Sequence, residues 1–278
     1  MRIAVLQMTS GIDAAANAAT IVAAVGEAAS GGATMLFTPE MSGLIDRDRA
    51  RAKASICDEL DDVVLAAVRT AAAENRIWVH IGSLAVIGEG GKFANRSFVI
   101  DPQGDIVARY DKIHLFDVDL PTGESWRESN AYAAGSAAVV AETDLGKLGL
   151  SICYDLRFPA LYTALSNAGA TVLAIPAAFT VPTGQAHWHI LMRSRAIENA
   201  CFVVASAQTG HHEDGRETYG HSLVVGPWGD ILLDMGTTAG VAFCDVNLDE
   251  VADVRRRVPV IAHRRPIPAV TFWAKPDA

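Results

Sequence analysis

No stretch of this sequence reaches about eighteen consecutive apolar residues, so no part of it is expected to cross a bilayer as a helix. The apolar run of Arg2-Ile3-Ala4-Val5-Leu6-Gln7 is too short for a signal peptide and reads as a first strand. Basic residues are in the minority. The 23 Lys and Arg against 32 Asp and Glu leave a net charge of -9, which argues against a general binder of nucleic acid or anionic membrane. The four cysteines, Cys57, Cys153, Cys201 and Cys244, stand far apart with neither metal nor disulfide spacing. A reducing, cytoplasmic compartment is therefore expected. No linker or low-complexity segment divides the 278 residues. Residues 1–278 read as a single domain, with 258–278 a tail expected to pack on a surface or a partner subunit.

Half the residues are hydrophobic, enough for a sizeable core. The chain alternates strands and helices, predicting an α/β layered fold. Short strands are expected at Ile3–Leu6, Met35–Phe37, Ile77–Leu84, Phe93–Ile100 and Ile106–Tyr110, with helices over Asp13–Ala29 and Leu60–Glu74. A long irregular loop follows from Asp117 to Gly135. The alternation then resumes with strands at Val139–Glu142, Leu148–Ile152, Thr171–Ile175 and Phe202–Ala205, and helices at Pro159–Ala168 and His187–Asn199. A meander from Ser222 to Asp245 and a last helix capped by Asn247 complete the chain. One internal echo stands out. Ser97 to Ile106 and Ser222 to Ile231 share six identities at an offset of 125, with a turn in each, which hints at a two-fold duplicated architecture.

Three residues occupy strand ends, where open α/β sheets place their sites. Cys153 lies where the strand before it gives way to the Pro159 helix, a place that favours a thiolate or an oxyanion. Glu40 follows a strongly apolar strand in Thr38-Pro39-Glu40, and burial there is expected to raise its pKa and suit it to general base and acid work. Lys112 lies between Tyr110-Asp111 and Ile113-His114, where an ammonium can stabilise developing negative charge and lower the thiol pKa. Taken singly, a cysteine is more often a small core residue, and Glu40 and Lys112 are more often surface charges.

The neighbourhoods of the three change that balance. Phe37-Thr38-Pro39-Glu40, Tyr110-Asp111-Lys112-Ile113-His114-Leu115 and Ile152-Cys153-Tyr154-Asp155-Leu156-Arg157-Phe158-Pro159 resemble the three signature blocks of the nitrilase superfamily of carbon–nitrogen hydrolases. The similarity extends through Pro176-Ala177-Ala178-Phe179, Arg193 to Asn199, Tyr219 to Ser222 and Arg257 to Val260. It implies a four-layer αββα sandwich, commonly paired into a homodimer or higher homo-oligomer. It implies a hydrolase acting on carbon–nitrogen bonds other than peptide bonds, with a small-molecule amide substrate. Cys153 would be the nucleophile, Glu40 the general base and acid, and Lys112 with the Tyr154 amide the oxyanion site. Glu128 would orient Lys112.

Within the superfamily the chain is most similar to the branch of deaminated glutathione amidase and its relative ω-amidase, through Ile113 to Pro121, Gly210-His211-His212 and Arg216 to Ser222. The expected reaction is hydrolysis of a small carboxylated amide, deaminated glutathione favoured, to the acid and ammonia through a cysteine acyl-enzyme. The alternatives are α-ketoglutaramate as substrate, another C–N hydrolase specificity, or a non-catalytic interaction protein on the same fold. A papain-like reading lacks a matching cysteine neighbourhood. Arg157, Arg193, Arg195 and Arg216 are candidate anchors for substrate carboxylates. Tyr154, Phe179, Thr183 and Trp188 are candidate pocket residues. His187 with His189, and His211 with His212, carry no thiol or acidic ligand set, so neither a metal nor any other cofactor is expected.

Overall fold

Successive side chains of β1 (Arg2–Gln7) point to opposite faces. Ile3 and Val5 join one hydrophobic core, while Ala4 and Leu6 join another. A strand buried on both faces needs cover on both sides, and the remaining elements supply it. The computed structural model describes residues 1–119, 123 and 125–273. Parts of the Asp117–Gly135 loop and the last five residues of the tail lie outside the described residues.

The first half continues with α1 (Ala14–Ser30), β2 (Met35–Phe37), α2 (Arg49–Ser55), α3 (Val63–Asn75), β3 (Trp78–Ile87), β4 (Phe93–Ile100), β5 (Ile106–Asp111), β6 (Asp117–Asp119) and β7 (Ser125–Arg127). The second half carries β8 (Val140–Thr143), β9 (Gly146–Leu150), α4 (Pro159–Asn167), β10 (Val172–Ala174), α5 (Val181–Asn199), β11 (Phe202–Ala205), β12 (Thr209–His211), β13 (Glu217–Tyr219), β14 (Leu223–Val225), β15 (Ile231–Asp234), β16 (Gly240–Asp245) and α6 (Asp249–Arg257). One six-stranded sheet runs β16-β1-β2-β3-β4-β5 and a second runs β15-β14-β11-β10-β9-β8. Ile3, Val5, Met35 and Phe37 of the first sheet share a core with Leu148, Leu150 and Val172 of the second. The other face of the first sheet packs on Ile21 and Val25 of α1 and Val68 of α3. Helices α4 and α5 lie against the second sheet. The result is an αββα sandwich. Asp13 starts α1 by accepting from the Ala15 amide at 2.9 Å, and Asp62 starts α3 by accepting from the Leu65 amide at 2.8 Å. Each satisfies a donor that the helix itself cannot.

The duplication hinted at by the sequence is present in the topology. In each sheet three central strands are parallel, β1-β2-β3 and β9-β10-β11. Each trio is flanked by one antiparallel strand, β16 or β8, and on the other side by an antiparallel pair, β4-β5 or β14-β15. The register shifts between Val99 and Ile100 in one pair and between Val224 and Val225 in the other, at the same place in the echoed segments.

Some elements differ from expectation. Helix α5 begins at Val181, with Pro182 in its first turn, because proline costs no hydrogen bond there. The irregular loop contains the β6–β7 hairpin. Helix α2, Arg-Ala-Arg-Ala-Lys-Ala-Ser, buries no residue, so it carries no apolar periodicity to announce it.

Candidate active site

The ends of the two sheets bring three loops together. Glu40 follows β2, Lys112 follows β5, and Cys153 follows β9 of the facing sheet. The first loop is placed by a close approach. A Cβ at Gly82 would collide with the Thr38 carbonyl, Pro39 and the Pro176 ring. Only glycine lets the β3 backbone pass between the Glu40 loop and the loop after β10.

Cys153 opens a short 3-10 helix (Cys153–Arg157) that leads into α4. Its φ is 49°, in the left-handed region that a non-glycine residue occupies at a cost on the order of 1–3 kcal/mol. Buried Asp155 holds this turn. Its carboxylate accepts from the Ile152 amide at 2.8 Å, the Tyr110 hydroxyl at 2.7 Å and the His114 amide at 3.0 Å, with His114 Nδ1 at 2.6 Å. One acid thus ties the cysteine turn to the strand and loop that carry Lys112. The Cys153 amide donates to the Pro176 carbonyl at 2.9 Å. Two residues on, the Ala178 amide donates to Glu40 Oε2 at 3.0 Å. The loop after β10 therefore positions both residues.

Glu40, Lys112 and Cys153 are 4%, 2% and 8% exposed. Lys112 Nζ donates to Glu40 Oε1 at 2.9 Å and to Glu128 Oε2 at 2.9 Å. Asn95 Nδ2, on β4, donates to the same two carboxylates at 3.0 and 3.1 Å. An ammonium has three protons. Glu40 takes one, and the two Glu128 oxygens at 2.9 and 3.2 Å share a second, which leaves one for a further acceptor. The Cys153 thiol lies in the same buried cluster as Glu40, and each group shifts the other's pKa.

Protonation in this cluster reverses two sequence expectations. Burial pushes the Glu40 carboxyl up. The Lys112 charge and hydrogen bonds from Cys153, Lys112 and Asn95 outweigh it and hold the carboxyl below its ordinary value. Burial and the Glu40 charge push the Cys153 thiol well up, and Lys112 offsets only part of this. Burial would lower Lys112, but Glu128 and Glu40 together raise it well above its ordinary value. At neutral pH the group is therefore carboxylate, ammonium and thiol. The sequence shows the burial but not the contacts of Glu40 with Lys112 and Cys153 that decide which effect wins, so it gives neither sign.

These side chains face a cavity of about 690 Å³. Tyr154, Arg157, Phe179, Thr183 and Arg216 all line it. The Arg157 guanidinium carbon lies 5.4 Å from the Phe179 ring centre and 6.0 Å from that of Tyr154. Arg216 pairs with buried Asp214 at 2.8 Å. The other arginine candidates do not reach the cavity. Arg195 is buried, bound to the Leu156 carbonyl and to Glu198, and Arg193 donates to the Gly229 carbonyl. Trp188 is a core residue, packed on Phe179 and donating to the His221 carbonyl. Asn95, Asp155 and the Ala178 amide escaped sequence reasoning. For Asp155 a signal existed, an acid two residues from the cysteine. The histidine pairs separate: His187 meets Arg157, His189 meets Asp234, His211 meets Glu217, and His212 bridges Ser10 and Thr218. Among the described residues, one group, His189, His221 and Asp234, has possible ligand atoms within 4.8 Å of one another. Both histidines already hydrogen-bond to Asp234, and none of the three lines the cavity. Among the described residues no helix is long and apolar enough to cross a membrane.

Comparisons with known proteins bear on this geometry. A family model described as "Carbon-nitrogen hydrolase" matches residues 2–256. A Synechocystis protein named deaminated glutathione amidase is 49% identical over 181 residues, which cover 64% of this chain and 66% of that one. A Bos taurus protein of the same name is 39% identical over 269 residues, covering 95% of this chain and 82% of that one. Among solved structures, the C. elegans NITFHIT protein superposes with a TM-score of 0.88 at 37% identity, covering 95% of this chain and 65% of that chain. This chain thus spans just under two thirds of the length of the Synechocystis relative and of the NITFHIT chain.

Proposed function

This chain belongs to the carbon–nitrogen hydrolase family, and we propose that it is a thiol amidase that cleaves a small carboxylated amide, deaminated glutathione by preference. One observation carries the reading: a buried thiol beside a carboxylate that is itself hydrogen-bonded to a buried ammonium, all three lining one cavity.

The steps follow from the resting protonation. Because Glu40 is a carboxylate and Cys153 a thiol, Glu40 takes the proton as Sγ attacks the amide carbon, and no free thiolate accumulates. The C=O π electrons move to oxygen. That oxyanion faces the remaining Lys112 proton and the Tyr154 amide, which stands in the first turn of the 3-10 helix, where an amide has no acceptor within the helix. Collapse breaks the C–N bond while Glu40 returns its proton to the leaving nitrogen, giving a Cys153 thioester. Glu40 then deprotonates water, which attacks the thioester and releases the carboxylic acid and the thiol. Glu128 acts by holding Lys112.

The leaving group depends on the amide. A primary amide such as α-ketoglutaramate gives ammonia, but the expectation of ammonia from deaminated glutathione does not hold. In deaminated glutathione the nitrogen belongs to the cysteinylglycine portion, so the products are the keto acid and that amine. Three observations support the longer substrate. The Synechocystis and Bos taurus relatives bear its amidase's name. The cavity exceeds what a five-carbon keto acid amide fills. Its lining holds eight arginines and lysines against four acids, an arrangement suited to a substrate with two carboxylates. The test is kcat/KM on deaminated glutathione against α-ketoglutaramate. A higher value for the former supports the assignment. Preference for α-ketoglutaramate, simple nitriles or N-carbamoyl amino acids overturns it and leaves the Glu-Lys-Cys chemistry in place.

The proposal extends to organisation. The chain acts as one domain in a cytoplasmic setting, in keeping with four free cysteines. It pairs with a second copy, against which the tail packs. Exposed Ile267, Val270, Phe272 and Trp273 favour this, because apolar side chains gathered on one segment call for cover. Light scattering with and without residues 258–278 tests it.

A further inference from the structure

The chemistry above occupies only part of the cavity. We propose that Trp126 and Arg47, backed by Arg216, form a second subsite in its lining for a substrate carboxylate remote from the scissile amide; this rests on the amidase reading. The three residues come from separate loops: Arg47 from the segment between Glu40 and α2, Trp126 from β7, and Arg216 from the turn before β13. All line the cavity that holds Cys153. The guanidinium carbons of Arg47 and Arg216 each lie 5.2 Å from the Trp126 ring centre.

The charges there do not balance. Asp214 neutralises Arg216 and Asp46 neutralises Arg51, while Asp48 is committed to capping α2. Arg47 makes no ion pair among the described residues. Beside it the Trp126 Nε1–H is buried with no acceptor among the described residues. A buried indole N–H ordinarily finds a partner. Indole and guanidinium are donors only, so a partner that serves both brings acceptors and negative charge. A carboxylate supplies both in one plane. The reacting end is a poor place for it, since two carboxylates there share one ammonium. Arg157, beside Tyr154, serves a carboxylate near the scissile bond, and the Trp126 group serves the distant one.

The experiment compares deaminated glutathione with its C-terminal glycinamide analogue, which differs only in the distal charge, on wild type, Arg47→Gln and Trp126→Phe. Arg47 is exposed, so its variant tests the subsite even where the indole change disturbs folding. Wild type is expected to prefer the acid over the amide analogue by about tenfold in kcat/KM, the range of one charge-assisted hydrogen bond. In Arg47→Gln and Trp126→Phe that ratio should fall toward one. A ratio that stays at the wild-type value in both variants overturns the subsite while the amidase reading stands. Wild type that hydrolyses neither compound overturns the substrate assignment itself.

Discussion

Glu128 grips Lys112 with both carboxylate oxygens, at 2.9 and 3.2 Å. It is itself fixed by the Phe116 amide at 2.7 Å, so the ammonium is aimed before any substrate arrives. Glu128→Gln keeps the shape and removes the charge. It should lower kcat on the order of a hundredfold, the scale of losing a preorganised oxyanion contact, with a smaller change in KM. Steady-state kinetics check this, and an unchanged kcat in the folded variant contradicts it.

Asp155 takes three aligned donors and lies beside His114. Asp155→Asn offers one acceptor oxygen in place of two and puts an N–H₂ against donors. The expected loss is roughly 2 kcal/mol of unfolding free energy, from donors left buried and unpaired, read by urea titration. Because the same acid joins the Cys153 turn to the Lys112 loop, kcat should fall with it. A variant as stable and as active as wild type shows that the clamp is dispensable.

Gly82→Ala places a methyl against Thr38, Pro39 and Pro176. Overpacking of this kind costs about 1–3 kcal/mol, and here the atoms forced to move carry Glu40 and the loop that binds it. The prediction is a larger loss of kcat than of thermal stability relative to other buried Gly→Ala changes. Wild-type kcat in this variant excludes the positioning role.

His80 is buried beside Ser97, and burial pushes its pKa down to about 3. The unfolded chain binds a proton near 6.5 that the folded chain refuses, so stability rises with pH across this window. It should fall by ~1.4 kcal/mol per unit as pH drops from 6.5 toward 3, in addition to any carboxylate effects. His80→Gln should flatten that part of the pH-stability curve. An equal slope in both proteins places the acid sensitivity elsewhere.

The sequence announced the layers and the three candidate-site loops because short continuous apolar runs such as Met35–Phe37 mark strands buried on both faces, and because Glu40, Lys112 and Cys153 stand at strand ends. The duplicated turn was legible too, as the echo of Ser97–Ile106 in Ser222–Ile231. What stayed hidden depends on contacts between distant segments. Asn95 bridges Glu40 and Glu128 across β4, and the Ala178 backbone reaches Glu40 across 138 residues of sequence. Against its burial, the Glu40 carboxyl is held down chiefly by the Lys112 charge, and the Cys153 thiol is held up by burial and the Glu40 charge, so local sequence gave the burial of Glu40 and missed the sign that its distant neighbours set. Short polar elements such as α2 and the β6–β7 hairpin carry no apolar period to read.

The central claim is that Cys153 carries the acyl group. The most direct measurement is intact-protein and peptide mass spectrometry after acid quench during turnover of deaminated glutathione, run beside Cys153→Ala. The account predicts a thioester of the keto-acyl portion on the Cys153 peptide in wild type, and neither adduct nor product in the folded variant. Product formation by folded Cys153→Ala, or an acyl group found on Cys57, Cys201 or Cys244 instead, contradicts it.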